Sequence, residues 1–275
     1  LQKALTLSTN TVAVQLLHHL GIPAVRQTAL QLGITDRLNP DLSMALGSSE
    51  TDLLTLSAAY GIVANGGYAV QPYAVKEIRS IYGDLIFKHQ EIPAIQVIEK
   101  QPVEEINMML KSVVKYGTGR FSAIKGIDSA GKTGTSQDFR DALFIGYTSD
   151  LVTSIWFGND DNSPMAKITG GNYPATTWRY VMRDIYAQHD KPAALYGPEP
   201  PVIEIKADDD ILIIPPDEVE PHLGSYPIVP INESDNNDRI FPPFNRMIDR
   251  LTRSLADRPD SSATINRKVN KVRNR

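Results

Sequence analysis

Lys132-Thr133-Gly134-Thr135, with Ser136 behind it, is the stretch of this chain best equipped to do chemistry. The lysine supplies a cation that a polar cleft can set against an anion or use to move a proton. Gly134 removes a Cβ where a substrate backbone must come close. The hydroxyls of Thr133 and Thr135 can hold a carboxylate, and the backbone N–H of Thr135 can face a developing oxyanion. A second polar group, Ser8-Thr9-Asn10, lies far upstream as a short break between two helical patterns. Alone it reads as a helix start, because Ser and Asn are good N-caps. Ahead of Lys132 in chain order, it supplies the second half of an acyl-transfer site.

The elements that must position these residues are readable from periodicity. Residues 1–7 look like the end of a helix, and a second helix follows the polar break with Ala13, Leu16, Leu17 and Leu20 on one face, expected in the core. Gly21 stops it; Pro23 starts another, which Gly33 stops. Asp52 to Asn65 reads as a helix ended by Gly66-Gly67, followed by β-rich sequence from Tyr68 to about Lys88 with a turn at Gly83-Asp84. Pro102 opens a helix carrying Val103, Ile106, Leu110 and Val113, ended by Gly117-Thr118-Gly119. After the Lys132 strand, Leu143–Tyr147 and Leu151–Phe157 form a hairpin about Thr148-Ser149-Asp150. Pro174 to Gln188 is the last helix, with Trp178, Val181, Met182 and Ile185 facing inward.

Composition narrows the class. The 275 residues are 41% hydrophobic with a formal net charge of −4, too mild for a nucleic-acid binder. With no Cys there is no disulfide, thiolate metal site or Cys nucleophile, and no metal or cofactor is expected; His18 and His19 are adjacent on a helix and point to different faces. No apolar run approaches the roughly 20 residues that span a bilayer. The chain opens on Leu1 inside a helical pattern, so it reads as a fragment whose membrane anchor and targeting segment lie upstream. After Tyr196 the sequence turns proline-rich, with Asp208-Asp209-Asp210 and a basic end at Arg267, Lys268, Lys271, Arg273 and Arg275. The expected organisation is a domain over 1–195 and a largely disordered tail over 196–275.

Three further stretches carry a resemblance. Ala45-Leu46-Gly47-Ser48-Ser49-Glu50 leads into the helix ending Ala64-Asn65-Gly66-Gly67. Gly117-Thr118-Gly119 precedes Ala130-Gly131-Lys132, and Gly158-Asn159-Asp160-Asp161-Asn162-Ser163-Pro164-Met165 leads to Thr169-Gly170-Gly171. With Ser8-x-Asn10 and the Lys-Thr-Gly strand, these motifs stand in the order found in class A, bifunctional penicillin-binding proteins. From Leu1 to about Gln188 the chain resembles the C-terminal part of their transpeptidase domain. The resemblance implies an α+β penicilloyl-serine-transferase fold, an antiparallel sheet flanked by helices, with the N-terminal part of the fold missing. It implies cross-linking of peptidoglycan stem peptides ending in D-Ala-D-Ala through an acyl-serine, and acylation of that serine by β-lactam antibiotics. It places the domain on the periplasmic side of the bacterial inner membrane. Ser8 and Lys132 would move protons to the leaving amine, Asn10 would hold a substrate amide, and Thr133, Gly134 and Thr135 would bind its terminus.

One departure matters. The Ser-x-x-Lys nucleophile of the family should precede Ser8, yet the seven residues before Ser8 contain no serine. It is therefore expected upstream of Leu1, and the chain by itself is expected to be inactive and poorly folded. Ser112-x-x-Lys115, Ser122-x-x-Lys125 and Ser129-x-x-Lys132 match the pattern but sit in the wrong place. The rival readings are a serine β-lactamase or D,D-carboxypeptidase, and a non-catalytic module that senses or binds β-lactams.

Overall fold

The computed structural model describes residues 1–35, 38–91, 93–206 and 209, all within one compact unit, Leu1–His222. In chain order the elements are α1 (Gln2–Leu7), α2 (Asn10–Leu20), α3 (Ile22–Gln31), α4 (Leu53–Ala64), β1 (Glu77–Arg79), β2 (Leu85–Lys88), α5 (Lys100–Tyr116), β3 (Ala130–Thr135), β4 (Asp141–Tyr147), β5 (Val152–Gly158) and α6 (Tyr173–Gln188). β3, β4 and β5 form an antiparallel sheet in that order, and β1 pairs with β2 in a separate hairpin. This is the α+β arrangement expected from the sequence.

Local chemistry sets the helix ends. The Asp52 carboxylate accepts the Thr55 N–H at 2.8 Å and starts α4. Asn172 caps α6 in the same way, its side-chain oxygen accepting from Tyr173 N at 2.7 Å. α5 begins at Lys100, two residues before Pro102, because a proline in the first turn forfeits no helical hydrogen bond. α1 ends where Ser8 turns left-handed at φ 57°, with the N–H groups of Ser8 and Thr9 reaching back to Leu5 O and Ala4 O.

The core lies on both faces of the sheet. On one, Trp178 and Met182 of α6 and Phe144 of β4 are fully buried. The Phe144 and Trp178 rings meet edge to face at 5.6 Å, and Trp178 Nε1 donates to Thr153 O at 3.1 Å. The rings need glycine opposite them: a Cβ on Gly146 would stand 2.6 Å from Trp178. On the other side, Leu110 of α5 packs with Ala64, Ala130, Tyr147 and Leu195. Tyr147 donates its hydroxyl to the buried Asn107 Oδ1 at 2.5 Å.

Some apolar stripes are not core. On α2 only Leu17 is buried, while Leu16 and Leu20 are 38% and 53% exposed. Val181 of α6 is exposed rather than inward-facing. Helical spacing puts these residues on a stripe, but burial needs a neighbouring element packed over each of them, and the described neighbours leave these three partly open. The β-rich stretch from Tyr68 condenses into two short strands, β1 and β2, exposed along their whole length. Among the described residues, β5 pairs with β4 alone, leaving its outer edge open.

Most of the proline-rich segment 196–275 lies outside the described residues. Its described beginning packs back on the helices. Glu199 pairs with Lys115 and, at 3.4 Å, with Lys111, whose buried ammonium also holds Asp128 at 2.7 Å. Gln2 Nε2 donates to Pro201 O at 3.3 Å, and Lys3 pairs with Asp209 at 2.8 Å.

Candidate active site

A cleft of about 1010 Å³ opens along β3, and Ser8, Asn10, Lys132, Thr133, Gly134 and Thr135 all line it. The fold thus brings together every residue singled out in the sequence as a site residue. Ser8 arrives there through α1, which packs on α5 and its terminal turn. Thr118 N donates to Thr6 O at 3.2 Å, and Thr6 Oγ1 meets Ser112 Oγ at 2.5 Å. The approach is so close that a Cβ on Gly117 would stand 2.2 Å from Thr6 O. Gly117 ends α5 and also seats the turn before Ser8.

Lys132 Nζ donates to Ser8 Oγ at 2.7 Å and to Thr133 O at 2.9 Å, joining residues 124 positions apart. Burial disfavours the ammonium and lowers its pKa from 10.5 to about 8. The lysine can therefore exchange a proton near neutral pH, with the serine hydroxyl in place to pass it on.

The strand pairing orients the backbone. Ser136 N donates to Asp141 O, which makes 136 and 141 a hydrogen-bonded pair. Antiparallel pairs alternate, so Gly134 with Leu143 is bonded, whereas Thr133 with Phe144 and Thr135 with Ala142 are not. The N–H and C=O of Thr133 and Thr135 consequently point away from β4, off the open edge of the sheet. Thr135 N–H is available there to a carbonyl oxygen of a bound substrate. The Thr133 O to Lys132 Nζ bond reports the same orientation.

Two features of the site entered the sequence reading only as motif stretches, with no role given to their residues. Thr118, nine-tenths buried, shares a 2.8 Å hydrogen bond between its Oγ1 and Thr133 Oγ1. The segment Thr169-Gly170-Gly171 crosses the same strand: Gly170 N donates to Thr135 Oγ1 at 3.1 Å, and Thr169 and Gly171 line the cleft. Gly170 has to lack a side chain, since a Cβ would stand 2.2 Å from Leu143 O. The sequence signal was present in these motifs, which carried the family resemblance without assigning Thr118 or Gly170 a role.

The serines of the three internal Ser-x-x-Lys sequences are elsewhere. Ser112, Ser122 and Ser129 are buried, and none lines the cleft. Ser112 Oγ donates to Met109 O, Ser122 Oγ donates to Gly119 O, and Lys115 is paired with Glu199.

An α+β domain with Lys-Thr-Gly-Thr on a sheet-edge strand, facing a Ser-x-Asn turn from an all-helical flank, is of the transpeptidase class. Residues 1–158 match the penicillin binding protein transpeptidase domain. Penicillin-binding protein 1A of Aquifex aeolicus is 32% identical over 214 residues, 77% of this chain and 29% of the relative. Penicillin-binding protein 1A of Neisseria meningitidis serogroup B is 35% identical over 190 residues, 66% of this chain and 24% of the relative. The PonA1 protein of Mycobacterium tuberculosis, solved in complex with penicillin V, superposes with a TM-score of 0.64 at 25% identity over 74% of this chain and 60% of that one. The chain belongs to the penicillin-binding protein transpeptidase family. It spans under a third of the length of these curated relatives.

Proposed function

We propose that this chain is the part of a serine D,D-transpeptidase that binds the substrate terminus and moves protons. The nucleophilic serine is contributed by sequence upstream of Leu1. The observation that carries the reading is the 2.7 Å bond between Ser8 and Lys132 in a cleft edged by Thr133, Gly134 and Thr135.

The terminal carboxylate of a D-Ala-D-Ala stem peptide sits on the Thr133 and Thr135 hydroxyls, with Gly134 leaving room for its backbone and Asn10 holding an amide. The nucleophile gives its proton to the lysine of its own Ser-x-x-Lys motif and adds to the penultimate carbonyl, whose oxyanion Thr135 N–H stabilises; that proton later restores Lys132. Ser8 then gives its proton to the departing amine and regains one from Lys132 as the D-Ala leaves. The acyl group passes to an amine of a neighbouring stem peptide. β-Lactams present the same carboxylate and carbonyl to the same groups. Among the described residues lining the cleft none is Asp or Glu. That favours slow release of penicillin over the water-activating hydrolysis of a β-lactamase. The presence of Ser8, Asn10, Lys132 and Thr135 together also favours an enzyme over a non-catalytic β-lactam sensor.

No described helix is long and apolar enough to cross a membrane. In this reading an upstream segment anchors the protein in the inner membrane of a bacterium, with this domain on the periplasmic side and a glycan-polymerising domain in the same polypeptide.

In the full-length protein, Ser8→Ala is expected to slow labelling by a fluorescent penicillin about a hundredfold, the usual weight of one proton-transfer group, with circular dichroism unchanged. Labelling at the wild-type rate would remove Ser8 from the mechanism.

A further inference from the structure

We propose that Thr118 is a positioning residue that fixes the hydrogen-bond polarity of Thr133, so that the carboxylate site is assembled before a ligand arrives. The inference rests on the functional reading above and adds to it a residue outside the Lys-Thr-Gly strand.

A threonine hydroxyl has one proton to give and lone pairs with which to accept. An anionic carboxylate only accepts, so each hydroxyl that holds it must spend its proton on the ligand. At Thr135 the polarity is already set. Gly170 N–H can only donate, so Thr135 Oγ1 is the acceptor of that 3.1 Å bond and keeps its proton for the cleft. The partner of Thr133 is Thr118, hydroxyl to hydroxyl at 2.8 Å, a bond in which either oxygen can donate. When Thr118 donates, Thr133 is left with its proton free, and both strand hydroxyls face the cleft as donors. When Thr118 cannot donate, Thr133 loses this constraint and its hydroxyl is free to rotate toward other acceptors.

Thr118 is built to hold that position. It is nine-tenths buried yet lines the cleft. Its N–H is bound to Thr6 O, and its own carbonyl lies against Gly171, where a Cβ would come within 2.5 Å. The same residue thus grips α1 two positions before Ser8 through its backbone and touches the residue after Lys132 through its side chain. The two halves of the site share it, and the side chain can be altered while the backbone grip stays.

The test compares acylation of full-length wild-type, Thr118→Val and Thr118→Ser proteins by two probes, benzylpenicillin and its carboxylate methyl ester. Valine keeps the shape and the backbone N–H but has no hydroxyl; serine keeps the hydroxyl. Thr118→Val is expected to slow acylation by benzylpenicillin about tenfold, the weight of a hydrogen bond to a charged group. It should leave the slower reaction of the ester within about twofold of wild type, since an ester offers no anion to orient against. Thr118→Ser should restore the benzylpenicillin rate. Equal losses with both probes would show a merely structural role and overturn the proposal, as would unchanged rates with both. A wild-type protein that benzylpenicillin does not acylate would overturn the functional reading, and this inference with it.

Discussion

Lys132→Ala in the full-length protein is expected to slow acylation by benzylpenicillin about a thousandfold or more, within the range for loss of a general acid–base group. The variant removes the donor to Ser8 and the cation of the cleft together. Stopped-flow or gel-based labelling gives the rate directly, and a loss below about tenfold would contradict the assignment. The pH profile carries the same claim. Lys132 must be protonated to resupply Ser8, and burial holds its pKa near 8 rather than 10.5. The wild-type rate should therefore fall as pH rises through about 8. Lys132→Arg, which stays charged at that pH, should be slow but lack this alkaline limb. Folding should survive Lys132→Ala. The unfolded chain binds this proton more tightly than the folded one, so the group's contribution to stability rises with pH from about 8 toward 10.5 and is least favourable below 8. Removing the buried ammonium at neutral pH therefore relieves a cost, and an unchanged circular dichroism spectrum separates lost activity from unfolding.

Trp178→Ala is expected to have the opposite signature, a structural collapse rather than a chemical one. The indole is fully buried, packs edge to face on Phe144 and satisfies Thr153 O. Truncating a buried tryptophan costs about 3–5 kcal/mol. For a domain of this size that lowers the unfolding midpoint by about 10 °C. Differential scanning calorimetry of the full-length protein, read at the transition that penicillin shifts, measures it. Trp178 does not line the cleft, so the acylation rate of the molecules that remain folded should stay close to wild type. A midpoint within about 2 °C of wild type would show that α6 is not the clamp on the sheet.

The residues proposed to do the chemistry were legible because their identities are the chemistry. A lysine, two threonines and a glycine in sequence on a strand specify a cation, two hydroxyls and an open backbone before any fold is known. The helix-breaking Ser8 was legible as an interruption, and the β4–β5 hairpin as alternation about Thr148-Ser149-Asp150. Thr118 and Gly170 were legible only as members of motif stretches, since neither has a property that shows its role in one dimension. Thr118 matters because the end of α5 falls against β3, and Gly170 because the loop before α6 crosses Leu143 O. Both are consequences of tertiary contact. The same limit explains α2, where spacing predicts an apolar face but not whether anything covers it. Leu17 finds a neighbour, and Leu16 and Leu20 remain exposed.

The central claim is that this chain carries the binding and proton-transfer half of a penicillin-reactive site whose nucleophile lies upstream. The direct measurement is intact-mass and peptide mapping of the full-length protein after treatment with benzylpenicillin. The account predicts a single penicilloyl adduct on a serine upstream of Leu1. An adduct on Ser112, Ser122 or Ser129, or none at all, would contradict it.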